Sequence, residues 1–87
     1  MTRNELLKRI EFHIQRVMRS SLTVTEESRL DYRGLGLNSV HLLSVLVRLE
    51  DELGVEVDEL LAGVHQLQVV GELLDLLHDP AAHPARQ

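Results

Sequence analysis

At 87 residues, with 44% hydrophobic residues, one Phe, one Tyr and no Trp, the chain is a single small domain whose core must be built from Leu, Val and Ile. A formal net charge of -5 argues against a phosphate-backbone binder, which needs a basic face to displace counterions. The absence of Cys removes disulfides, cysteine nucleophiles and thiolate metal sites, and no apolar run is long enough for a membrane span or a signal-peptide core, so a soluble, cytoplasmic protein is expected.

In chain order, Thr2 to Ser20 reads as a first helix. Leu6, Leu7, Ile10, Ile14, Val17 and Met18 recur at three- and four-residue intervals, and Thr2-Arg3-Asn4-Glu5 fits a capping box. Ser20-Ser21 and the β-branched run Thr23-Val24-Thr25 break the pattern. The chain is then loop as far as Asn38, with Leu22, Leu30, Leu35 and Leu37 as core anchors and Gly34 and Gly36 as turn residues. So long a loop in so small a domain tends to be functional. A second helix is expected from Ser39 to Leu53 with Gly54 as its stop, a short third from Asp58 to Ala62 ended by Gly63, and a last one from Val69 to His78, ended by Asp79-Pro80. The fold class is therefore all-α, a four-helix bundle over residues 1–79 with a short third helix, a long first loop and a disordered tail over residues 80–87. The initial Met and terminal tail read as a stand-alone protein, with an excised domain as the alternative.

The second helix holds more apolar residues than one core face can take. Leu42, Val45, Leu46, Leu49 and Leu53 make a regular core stripe, while Val40, Leu43 and Val47 form a second strip aligned with Glu50. Burying an unpaired Glu would be costly, so the second strip is expected to be at least partly exposed and to serve as a docking surface. The alternative is that these residues pack against the long loop while Glu50 bends out to water. Charge is also uneven. Thr2 to Ser20 hold five basic and two acidic residues, whereas Asn38 to Ala62 hold Arg48 alone against six acidic ones, Glu50 and Asp51 among them. Such a face can steer a basic partner, or it can be simply a solvated helix end.

The block Leu35-Gly36-Leu37-Asn38-Ser39-Val40, followed by Glu50-Asp51-Glu52-Leu53-Gly54-Val55, resembles the acyl carrier proteins of fatty acid and polyketide synthesis. Their attachment motif, Leu-Gly-x-Asp-Ser-Leu, opens the second helix and is followed by a Leu-Glu-Glu stretch near its end, matched here by Leu49-Glu50-Asp51. The similarity runs from Leu22 to Leu77 and includes the final segment Gln68-Val69-Val70-Gly71-Glu72-Leu73-Leu74-Asp75-Leu76-Leu77, which is similar to the family's fourth helix.

The resemblance implies that Ser39 is the attachment point for 4′-phosphopantetheine, donated by coenzyme A through a phosphopantetheinyl transferase. Biosynthetic intermediates then ride as thioesters on that arm. The domain would be a non-catalytic carrier, a monomer delivering cargo between acyl- or aminoacyl-loading enzymes and downstream synthases, with no nucleic acid or membrane partner. Asn38 would cap the helix beside the attachment point, and Val40, Leu43, Val47, Glu50 and Asp51 would face partners. A phosphate at the first turn of a helix suits the free N–H groups and the positive end of the dipole.

Two departures bear on this reading. Asn38 stands where the family usually has Asp, and Val40 where it usually has Leu. Asn caps a helix as well as Asp, but the lost charge is one expected to assist the transferase around its magnesium ion, so modification could be slower or need a dedicated transferase. His41 and Ser44 stand where fatty acid carriers are often acidic, which favours a discrete acyl carrier of a polyketide or other specialised, antibiotic-type pathway. The alternatives are a peptidyl or aminoacyl carrier of a nonribosomal pathway, whose usual Gly-Gly-x-Ser-Leu is absent, and an unmodified helical interaction module.

The five His residues, at 13, 41, 65, 78 and 83, share no metal-ligand spacing and are expected at the surface or in the tail. Ser39 and His41, two apart on a helix, do not make a hydrolytic pair. Gly34-Leu35-Gly36 follows no strand and is a turn, not a dinucleotide fingerprint.

Overall fold

Helix 1 starts where its sequence says it should. Thr2 accepts a hydrogen bond from the Glu5 N–H at its Oγ1 (3.1 Å), and Glu5 Oε1 accepts one from the Thr2 N–H (2.9 Å), closing the capping box. The computed structural model describes residues 2–54 and 66–78. It is helical, with α1 at Arg3–Met18, α2 at Ser39–Leu53 and α3 at Val70–His78. The fourth element of the expected bundle, Asp58 to Ala62, and the tail beyond residue 79 lie outside the described residues. Helix 2 has the expected bounds, and Gly54 ends it in the left-handed region (φ 75°), donating to Glu50 O. The first and last helices are each slightly shorter than the periodicity suggested, as is ordinary where helix ends fray.

Leu6, Ile10 and Ile14 of α1 meet Val45, Leu46 and Leu49 of α2 and Val70, Leu73, Leu74, Leu76 and Leu77 of α3 in one apolar core. Each large aliphatic side chain so buried contributes about 1.5–3 kcal/mol, which is why a domain with almost no aromatics can fold. The long loop is integrated into this core. Val24, Leu30, Leu35 and Leu37 are buried, and Leu22 packs against them half-buried. Its backbone pairs with the approach to α3 through an isolated antiparallel bridge, Arg29 with Val69, with Leu30 N donating to Gln68 O and Val70 N to Ser28 O (both 2.9 Å). Arg3 adds a side-chain tie, donating to Glu26 Oε1 (2.9 Å), Asp75 Oδ1 (2.8 Å) and the Gly71 carbonyl (3.2 Å), and so joins α1, loop and α3.

The turn before α2 is tight. Leu35 N donates to Arg29 O, Gly36 N to Asp31 O and Leu37 N to Leu30 O, all at 2.8 Å. A Cβ on Gly34 would lie 2.4 Å from Arg29 O, a backbone atom that cannot swing aside. Gly34→Ala is therefore expected to cost about 1–3 kcal/mol, as overpacking does elsewhere, and thermal unfolding measures it; an unchanged melting temperature would contradict the close approach.

Candidate functional site

The turn that buries Leu35 and Leu37 delivers Asn38 in an extended conformation (φ -93°, ψ -178°), and the next residue, Ser39, begins α2 facing solvent. Asn38 Oδ1 accepts from the His41 N–H (2.8 Å), and the Asn38 carbonyl from the Leu42 N–H (2.9 Å). The return bond of this capping box comes from an unusual group. His41 Nδ1 accepts from the Asn38 N–H (3.3 Å), so an imidazole stands where Glu or Gln is common, and this bond assigns the ring proton to Nε2. With His41 and Leu42 served, Ser39 and Val40 are left at the first turn with no acceptor supplied by the cap, and no acidic residue occupies that turn. Free N–H groups, the positive helix end and an exposed hydroxyl together fit an anionic phosphodiester on Ser39.

Beside the hydroxyl lies the second apolar strip. Val40 is 69% exposed, Leu43 43% and Val47 48%, whereas Val45, Leu46 and Leu49 of the same helix are fully buried. Glu50 and Asp51 are exposed beyond the strip. The strip is thus brought together with Ser39 on the outward face, and packing against the long loop does not cover it. Tyr32, 81% exposed in the turn before α2 with the Arg33 guanidinium 5.7 Å from its ring centroid, is an exposed aromatic that hydrophobic periodicity could not have singled out, because it lies outside any helix.

His13 corrects the expectation of surface histidines. It is buried, and its Nε2 lies 2.9 Å from Glu52 Oε1, while Arg9 donates to both oxygens of that carboxylate, through Nε to Oε1 (3.0 Å) and through Nη2 to Oε2. The signal was available: His13 falls in the three- and four-residue register of Ile10, Ile14 and Val17, on the core face of α1. The Arg9 hydrogen bonds, and then that of His13, hold the Glu52 carboxyl below its ordinary range. A carboxyl depressed in the folded state adds stability above its unfolded value, near 4.3, and that stability fades as the pH falls through the lower folded value. Glu52→Gln is accordingly expected to lower stability by about 0.2–1 kcal/mol at pH 7 and to weaken the acid dependence of denaturant midpoints. Parallel pH profiles for the two proteins would refute the linkage.

Among the described residues, no helix is long and apolar enough to cross a membrane. Neither the curated proteins nor the solved structures contain a match to the chain. Residues 13–77, a stretch that takes in the loop, the Asn38 cap, Ser39, α2 and most of α3, do match the family described as the phosphopantetheine attachment site, the domain to which 4′-phosphopantetheine is joined in acyl carrier proteins; the chain belongs to that family.

Proposed function

We propose that Ser39 is the residue that takes the arm and that the chain is a discrete acyl carrier of a polyketide or related specialised pathway. The observation that carries the reading is an exposed serine hydroxyl at the first position of a capped helix, flanked by the open strip Val40, Leu43 and Val47. On attachment, Ser39 Oγ forms a bond to the pantetheine phosphorus of coenzyme A and the pyrophosphate link breaks. Adenosine 3′,5′-bisphosphate leaves, and the hydroxyl proton passes to the transferase. The bound group supplies a thiol that holds acyl cargo as a thioester, which the chain, having no Cys, lacks.

Each residue of the chain then has a limited task. Asn38 fixes the start of α2 without placing a charge beside the phosphate, and Ser39 and Val40 contribute their free first-turn N–H groups to it. The apolar strip and the exposed carboxylates of Glu50 and Asp51 meet the transferase, the loading enzymes and the downstream synthases. Catalysis belongs to those partners; the carrier contributes attachment and a high local concentration of cargo. His41 and Ser44, where fatty acid carriers are often acidic, support a specialised partner set. In this reading the protein is a cytoplasmic monomer.

Incubation of the purified chain with coenzyme A and a broad-specificity transferase is expected to add the mass of one phosphopantetheine, read by intact-mass spectrometry and placed on Ser39 by peptide mapping. No gain in mass, or a gain mapped elsewhere, would overturn the assignment.

A further inference from the structure

The seam between α1 and α2 has two electrostatically different ends. At one, Arg9 and His13 close on Glu52. At the other, Arg16, Arg19 and Arg48 border an open concavity of about 530 Å³, lined also by Gln15, Ser20 and Ser21. All three arginines are exposed, and none of them is among the ion pairs formed between described residues. Asp51, one turn beyond Arg48, does not pair with it. In a chain of net charge -5, three guanidinium groups are gathered around one hollow with no carboxylate of the described residues paired to them.

Helix termini explain only part of this. Arg16 lies in the last turn of α1 and Arg19 caps it, where cations are favoured by the dipole, but Arg48 lies well inside α2 and gains nothing from it. Arg19 also has a left-handed backbone (φ 53°, ψ 46°) at a position ordinarily taken by glycine. Arg16 is partly held in place, its guanidinium 5.9 Å from the Phe12 ring centroid.

We propose that this hollow is a second docking point, which takes the Asp and Glu side chains of an acidic patch on a partner protein. Its openness and polar walls leave a small molecule solvated, whereas planar guanidinium forks grip carboxylates from a surface laid across them. Charge complementarity specifies the occupant: an acidic surface is disfavoured beside the exposed Asp51 and drawn to the three guanidinium groups gathered here. Nine residues beyond Ser39 on α2, Arg48 is about half a turn round the helix and about 13.5 Å along it. A partner that meets the apolar strip and this cluster together is fixed in rotation about α2. None of this requires Ser39 to be modified, so the test stands apart from the carrier assignment.

The test is an amide NMR titration of the unmodified chain with a hexaglutamate peptide, in parallel with hexalysine and with inorganic phosphate. Hexaglutamate is expected to give saturable, salt-sensitive shifts at residues 15–21 and around Arg48. Affinity should fall about tenfold or more in the triple variant Arg16→Glu, Arg19→Glu, Arg48→Glu, and about threefold in Arg48→Gln, which is exposed and safe for the fold should the triple variant not fold. Hexalysine should instead shift the Glu50 and Asp51 region. Shifts spread equally over Lys8 and Arg33, no saturation, or unaltered affinity in Arg48→Gln would overturn the proposal. Phosphate saturating the same amides at lower concentration than the peptide would overturn it in favour of a small-anion site.

Discussion

Ser39→Ala is expected to abolish the mass gain completely while leaving helicity and melting temperature nearly unchanged. The separation of the two readouts follows from which residue caps the helix. Asn38, not Ser39, accepts the His41 N–H and holds the start of α2, so removing the Ser39 hydroxyl deletes no bond that the fold uses. Ala is also the better helix former at an exposed position. A serine serving only as a cap would behave the other way, its loss costing about 0.5–2 kcal/mol of stability. Intact mass and thermal unfolding on the same sample decide between them. A mass gain retained in Ser39→Ala would end the attachment assignment, and a large fall in melting temperature would show that the hydroxyl has a structural task.

The neighbouring residues Leu46 and Val47 are expected to give opposite results on substitution. Leu46 is fully buried in the apolar core, and Leu46→Ala removes its transfer free energy and leaves a cavity, a loss of about 2–5 kcal/mol. A small domain has only about 5–15 kcal/mol in total, so this variant should be partly unfolded at moderate denaturant. Val47 is half-exposed, one residue further round the helix, and Val47→Asp should alter stability by no more than about 0.5 kcal/mol. Its effect appears in docking. A charge placed in the apolar strip is expected to slow modification by the transferase about tenfold, the equivalent of ~1.4 kcal/mol of lost interaction. Urea unfolding and initial rates of modification measure the pair. Equal destabilisation by both substitutions would mean that the strip belongs to the core and not to a partner surface.

The frame of α2 and the loop's core anchors Leu30, Leu35 and Leu37 were legible in the sequence. The bounds of α2 follow from signals that act over a few residues, Asn38 at its start and Gly54 at its end, and these hold whatever packs on the helix. The second strip was legible from period, because a helix carrying apolar residues over so wide an arc cannot turn all of them to one core face, but that the loop leaves it open was decided by the packing. The resemblance around Leu35 to Val40 pointed to the same family as the match over residues 13–77, in which the chain is placed.

Other features came only from the way distant segments meet. His13 lies on the core face by period, but that its ring would stop against Glu52, 39 residues away, depends on how α1 and α2 lie against each other. The loop was legible as a loop, yet its bridge from Arg29 to Val69 depends on where α3 begins in space, and the contact that reserves position 34 for glycine on how the loop folds back over Arg29. The three arginines of the seam are unremarkable one by one in the chain, and packing alone gathers them round a single hollow. Caps and periodicity are local, short-range preferences that a sequence states openly. Side-chain partnerships across helices depend on axial register and crossing angle, which are fixed only when the whole apolar core closes.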